Sequence, residues 1–429
     1  MTKRRVVVTG FGALAPNGNT AESFWSATCA GKSGIARIEA FDPSGFAVQV
    51  AGEVKGFDPA KFVPNRKALK VMGRNIRFGV AASRMAMEHS GLLESVPDPA
   101  RFGVVMGSGI VPTDVEEVGQ AILASLDEEG RFDLRRFGTT GQKTLFPLWL
   151  LKHLPNMVAA HVSIFHQAQG PNNTIVTACS ASTQAIGEAM RVLERGDADV
   201  MLAGGADSRI DPLSLVAYAL LGALSTSDRE PQRVSRPFDR DRDGFVLGEG
   251  AAVLVLETEE HAKARGATIH AECVGYGSSF DAFAATQPEP EGRGAIQSMR
   301  AALKDAALSA DDIDYIAAHG TSTVLNDQTE TVAVKQVFGD RARKVPMSSV
   351  KSMVGHLIGA AGAVGALTGI LAIRDGVLPP TINQEHKDPL CDLDYVPNEA
   401  RKARVRAVLS NSFGFGGQNA SLVIREYEG

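Results

Sequence analysis

Short apolar runs and longer amphipathic stretches alternate along the whole chain. "RRVVVTG", "RFGVVMGSG", "NNTIVTAC" and "ADVMLAGGAD" are β-branched or apolar, stop at glycine or a small polar residue, and predict strands. "IRFGVAASRMAMEHSG" and "STQAIGEAMRVLERG" carry apolar residues at helical spacing and end in glycine, which predicts helices. The second half repeats the theme. "AAVLVLE", "DYIAAHG", "VPMSSV" and "RVRAVLSNSF" alternate with "GAIQSMRAALKDAAL", "QTETVAVKQVFG" and the Gly/Ala-rich "LIGAAGAVGALTGILAI". Such alternation predicts parallel sheet covered by helices on both faces, in two similar halves, residues 1–255 and 256–429, that form one compact body.

The last of these segments, Leu357 to Ile373, is uncharged and contains a Gly365-xxx-Gly369 spacing suited to close helix contact. It falls short of the roughly 18–20 apolar residues a bilayer needs and lacks an aromatic or basic belt, so it predicts a helix buried on all sides. Composition agrees: 429 residues, 44% hydrophobic and 22% charged, describe an ordinary globular chain. A net charge of −5 leaves no global attraction to nucleic acid or an anionic membrane. The start "MTKRRVVVTG" lacks the apolar core of a secretory signal, which points to the cytoplasm. Cys29, Cys179, Cys273 and Cys391 lie far apart, arguing against a disulfide framework or a zinc site.

Several motifs fail on inspection. "TGFGALAPNG" has Gly10 and Gly12 after a strand but lacks the third glycine of a dinucleotide fingerprint. "DRDRDGFVLGEG" begins like a calcium loop at Asp239, Asp241, Asp243 and Gly244, yet Gly250 occupies the twelfth place, where a bidentate glutamate is required. The better account is a turn packed against the chemistry. No HExxH occurs, and His161 and His166 are off any shared helix face, so no metal is expected.

The candidate chemistry begins at Cys179, in "NTIVTACSASTQAIGEAMRVLERG". There a predicted strand turns into a helix, so the thiol would meet the positive field of unpaired N–H groups, favouring thiolate, and its own N–H would face a developing oxyanion. His319 in "YIAAHGTSTVLND" and His356 in "SSVKSMVGHLIGAAG" each adjoin glycine at the edge of a predicted element. Lys351 stands among uncharged residues and would need an acidic partner if buried; Glu330 or Asp327 could supply it.

From "VVVTGFGALAPNG" through "TACSAST", "RPFDRDRDGFVLGEGAA", "HGTST" and "KSMVGHLIGAAG" to "NSFGFGGQNASLVI", the chain resembles the elongating β-ketoacyl-acyl-carrier-protein synthases of type II fatty acid synthesis and the related polyketide ketosynthases. The resemblance implies a thiolase-like, five-layered αβαβα fold with duplicated halves, normally a homodimer. It makes Cys179 the nucleophile that receives an acyl chain, and His319 and His356 the pair that promotes decarboxylation of the malonyl thioester. Lys351 resembles the family's structural lysine, with Glu330 its ionic partner. Thr321 and Thr323 match threonines that hold the phosphopantetheine arm, and the Phe415 N–H a second oxyanion donor, with its ring as gate. Ile110 matches a residue lining the acyl pocket. No metal or nucleotide cofactor is implied; the partner is acyl carrier protein, which is acidic. "NRKALKVMGR" offers Arg66, Lys67, Lys70 and Arg74 at helical spacing as a basic landing patch.

The stretch around "PLWLLKHLPNM", and Gln418 in place of a frequent threonine, depart from a housekeeping synthase. They keep open a secondary-pathway ketosynthase, such as one for polyketides or polyenes, and pairing with a different subunit. A non-catalytic chain-length factor shares the fold but usually lacks the nucleophile. Thiolase and hydroxymethylglutaryl synthase are disfavoured by His356 within "GHLIGAAG".

Overall fold

The computed structural model describes residues 3–63, 65–111 and 113–429. Ten strands carry the architecture. The first five are β1 (Val6–Leu14), β2 (Phe102–Gly107), β3 (Asn172–Ile175), β4 (Val200–Asp207) and β5 (Gly250–Thr258). The second five are β6 (Ala271–Phe280), β7 (Tyr315–Ala317), β8 (Met347–Ser348), β9 (Ala407–Gly414) and β10 (Gln418–Arg425). They form one hydrogen-bonded series in the order β8-β7-β9-β10-β6-β1-β5-β4-β2-β3. Read outward from the β1–β6 junction, both halves have the same order and polarity: two antiparallel pairings, then two parallel ones. The chain passes between halves after Thr258; Val255 lies inside β5.

Six helices cover and separate these strands: α1 (Arg74–His89), α2 (Met157–His166), α3 (Ala181–Arg195), α4 (Arg293–Asp305), α5 (Val324–Phe338) and α6 (Ala361–Asp375). α3 and α6 touch each other and strands of both halves, forming the middle of five layers. α1 and α2 cover the first half from outside, α4 and α5 the second. The Gly/Ala-rich segment takes its expected place: Ile358–Asp375 is apolar enough to cross a membrane but is 78% buried in the fold.

The sheet is mixed rather than parallel: β5 pairs antiparallel with both β1 and β4, and β6 and β10, which the hydrophobic pattern does not announce, add the matching antiparallel pairings in the second half. β6, "AECVGYGSSF", is rich in glycine and serine, which mask its alternation. Its glycines serve packing. A Cβ on Gly275 would lie 2.3 Å from the Ala302 carbonyl oxygen, and one on Gly277 2.1 Å from that of Ser298, so bare backbone lets α4 lie directly on the strand. β1 repeats the device: a Cβ on Gly10 would lie 2.7 Å from the Ala86 oxygen and one on Gly12 2.2 Å from that of Ala82, on α1. The failed dinucleotide motif is therefore half of an internal Gly-aromatic-Gly repeat.

Gly277→Val is expected to cost about 1–3 kcal/mol in urea unfolding, since backbone must move to admit the side chain. Gly45→Ala, whose Cβ meets nothing within 4 Å, should change stability by less than about 0.5 kcal/mol.

Candidate active site

The equivalent parallel strands of the two halves deliver the chemistry at their carboxyl ends, the edge where open α/β sheets bind ligands. Cys179 follows β3, His319 follows β7, Lys351 and His356 follow β8, and Phe415 follows β9. Cys179 sits in a single 3₁₀ turn, Ala178–Ser180, directly before α3. Ala178 is held at φ 49°, a left-handed conformation costly for a residue with a Cβ, and its strain marks the elbow that turns the thiol inward. His356 Nε2 lies 3.1 Å from Cys179 Sγ. The His319 and His356 ring centroids are 5.4 Å apart, and a ligating atom from each of the three side chains lies within 4.8 Å of the others. All three are buried.

Backbone contacts fix the imidazoles. The Ile358 N–H donates to His356 Nδ1 at 3.2 Å, so the neutral ring carries its hydrogen on Nε2, facing the sulfur. Ile358 achieves this at φ 44°, a second strained position. His319 is gripped through its main chain. Glu330 accepts from the N–H groups of His319 at 2.9 Å and Gly320 at 2.8 Å, while the Lys351 ammonium donates to the His319 carbonyl at 2.5 Å. The expected ion pair between Lys351 and Glu330 is therefore not a direct contact, because the His319 peptide stands between the two charges. Burial lowers the Lys351 pKa, opposed by the nearby negative charge of Glu330, and burial raises that of Glu330. Asp327 is not the lysine's partner either; it orders the "HGTST" loop by accepting from Thr321, Ser322 and Phe238 N–H groups, with Arg242 beside it at 3.5 Å.

Electrostatics correct one expectation. Burial pushes the Cys179 thiol up to about 11, outweighing the opposing pull of Lys351, the Phe415 N–H and Arg209. The resting sulfur is thus a thiol. Burial, and then the Lys351 charge, hold both histidines well below the usual imidazole range.

A cavity of about 370 Å³ reaches this centre, lined by Cys179, His319, His356, Thr321, Thr323 and Phe415 among others. The Thr321 and Thr323 hydroxyls are 2.9 Å apart on its wall. Ile110 does not line it: in the single chain its side chain is 73% exposed. The segment of Lys67 and Lys70 is an exposed 3₁₀ turn, Arg66–Val71, rather than an α-helix. Arg74 leaves that patch to pair with buried Glu249. Sequence reasoning missed Phe245, whose ring meets His356 edge-on at 5.3 Å, and Phe413, which meets His319 at 5.7 Å. It also missed the buried pair Asp207–Arg209; an acid at the carboxyl end of an apolar strand, in "VMLAGGAD", was the available signal.

Residues 3–262 match the family described as Beta-ketoacyl synthase, N-terminal domain, and residues 270–385 match Beta-ketoacyl synthase, C-terminal domain. The chain is 45% identical over 426 residues to 3-oxoacyl-[acyl-carrier-protein] synthase 2 of Coxiella burnetii, covering 99% of each. Among solved structures it is similar to the ishigamide ketosynthase/chain length factor (36% identity, TM-score 0.87) over the full length of both chains. It is also similar to a type II PKS ketosynthase, bound to a hexaketide and in complex with its acyl-carrier protein (34% identity, TM-score 0.86), again over both full lengths.

An imidazole whose folded pKa lies below its unfolded value takes up a proton more readily on unfolding, so its stabilisation is intact above about pH 6.5 and lost as pH falls. The urea midpoint should therefore fall between pH 7 and 5. In a His319→Asn/His356→Asn double variant it should fall less steeply.

Proposed function

The chain belongs to the β-ketoacyl synthase family and is a condensing acyltransferase that elongates an acyl chain from a malonyl thioester, and on that premise we propose how its residues divide the work. The observation that carries the assignment is the convergence of one sulfur and two neutral imidazoles at the end of one cavity. Cys179 takes the acyl group by thioester exchange: its S–H proton passes to the departing pantetheine thiol, so no standing thiolate is required. The Cys179 and Phe415 N–H groups face the oxygen that becomes negative in that step.

The malonyl thioester then enters along Thr321 and Thr323. Loss of carbon dioxide leaves an enolate, whose oxygen is stabilised by N–H donation from His356 and His319. The enolate carbon attacks the acyl-Cys179 carbonyl, the new C–C bond forms, the C–S bond breaks, and the released sulfur regains a proton. Neutral rings suit this role, since the charge they stabilise exists only during reaction. No metal or nucleotide enters these steps, and both acyl groups arrive on phosphopantetheine.

Acyl carrier protein is the proposed partner, landing on exposed Arg66, Lys67 and Lys70. A homodimer is proposed through β3, which ends the sheet with one side unpaired and is flanked by Ile164 and Val176, both more than half exposed. The same edge could pair with a related subunit, the arrangement named for the ishigamide relative. A cytoplasmic location is part of the same reading.

Two measurements test these assignments. Cys179→Ala should abolish acylation by an acyl carrier substrate, whereas His319→Ala or His356→Ala should slow malonyl decarboxylation about 10²–10³-fold while Cys179 is still acylated. Loss of acylation in the histidine variants would overturn the division of roles. Charge reversal at Lys67 and Lys70 should raise KM for acyl carrier protein severalfold and leave a small pantetheine thioester unaffected; equal loss on both defeats the docking patch.

A further inference from the structure

The elbow that presents Cys179 is a turn, Thr177 to Ser180, closed by the Ser180 N–H on the Thr177 carbonyl at 3.2 Å. Thr177 stands at φ −132°, ψ 45° and Ala178 at φ 49°. Ala178 would return to an ordinary conformation if the Thr177–Ala178 peptide turned over, and its methyl group does not oppose that. The opposition comes from Thr177. Its carbonyl also accepts from the Ser180 hydroxyl at 2.8 Å, and its own hydroxyl donates to Gln184 Oε1 at 2.7 Å. Gln184 Nε2 donates in turn to the Ser278 hydroxyl at 3.2 Å, on β6 of the second half.

Ser180 belongs to the turn and moves with it. Gln184 does not: it lies half-buried in the first turn of α3, so its carboxamide ties the elbow to two elements outside it. Gly414 of β9 crosses the same turn without a side chain, where a Cβ would lie 3.1 Å from the Thr177 carbonyl oxygen and 3.3 Å from the Cys179 nitrogen. Neither Thr177 nor Gln184 lines the cavity. What they govern is the peptide chain entering Cys179, whose N–H acyl transfer requires as an oxyanion donor.

We propose that Gln184 is a positioning residue, which clamps the Thr177–Ala178 turn so that the Cys179 N–H stays aimed at the carbonyl oxygen of the incoming thioester. The role rests on Cys179 being the acylated residue. Such a clamp separates two reactions of one sulfur. Acyl transfer passes through an oxyanion and needs the N–H. Alkylation by iodoacetamide forms the S–C bond as the C–I bond breaks, loses the thiol proton to water, and develops no oxyanion.

Gln184→Met and Thr177→Val each remove the contact at similar size, while Thr177→Ser keeps the hydroxyl. Acylation by an octanoyl pantetheine thioester is followed by intact-protein mass spectrometry, with the labelled residue located by peptide mapping. Both loss variants are expected to lower the maximal acylation rate about fivefold, with the half-saturating thioester concentration and the alkylation rate each within about twofold of wild type. Thr177→Ser should acylate at close to the wild-type rate. Because the two residues act through one hydrogen bond, the double variant should be no slower than either single variant. Parallel loss of acylation and alkylation overturns the proposal and leaves the contact as a general brace, as do unchanged acylation in Gln184→Met and additive losses in the double variant. Label on a residue other than Cys179 overturns the nucleophile assignment, and the clamp with it, by a separate readout.

Discussion

A buried ammonium resting on a peptide carbonyl organises this molecule's centre. Lys351 cannot shed its charge into solvent, and a lone buried cation would be costly, so it is tied to the His319 carbonyl while Glu330 holds the N–H of the same residue. Glu330 also accepts from the Gly320 N–H, so the two charges grip opposite sides of the His319–Gly320 peptide while the carboxylate offsets the burial of the ammonium. The loops leaving β7 and β8, 32 residues apart in sequence at His319 and Lys351, are thereby locked together, and His319 is positioned without committing its ring nitrogens to the scaffold. Both of its neighbours through space, Phe413 and His356, then meet it edge-on.

That lock works because the duplicated halves face one another at the carboxyl ends of corresponding strands. The middle helix layer must come close for them to meet, and small residues permit it: a Cβ on Gly362 of α6 would lie 2.0 Å from the Thr183 hydroxyl on α3, and one on Gly107 2.4 Å from the Ser182 nitrogen. Burial of the three side chains desolvates them accordingly. The same burial that keeps the histidines neutral also keeps the resting sulfur protonated. Nucleophile and donors therefore share one electrostatic environment, and it favours reactions in which charge is born and extinguished inside the cavity.

Much of this was legible in the letters because local rules carried it. Cys179 betrayed itself by standing where a β-branched run yields to a helix; His319 and His356, by glycines that end their elements. The all-buried helix read correctly from composition alone. β6 did not, since its glycines answer to α4 rather than to strand propensity. The charge partner expected for Lys351 is present, but the letters could not show that a peptide stands between the two groups, because sequence gives which charges exist and not what separates them. Arg74 shows the same limit, captured by Glu249 from a distant segment. Long-range polar partners leave no periodic trace.

The strained turn at Ile358 has a consequence for the kind of chemistry this centre can evolve. With its N–H engaged at His356 Nδ1, that imidazole has no vacant lone pair and can lend a hydrogen but never abstract one. Any neutral amide of similar reach could inherit the duty, whereas a carboxylate could not. The lineage is thus free to exchange one hydrogen donor for another, but barred from turning this side chain into a Brønsted base without first unwinding the turn beneath it.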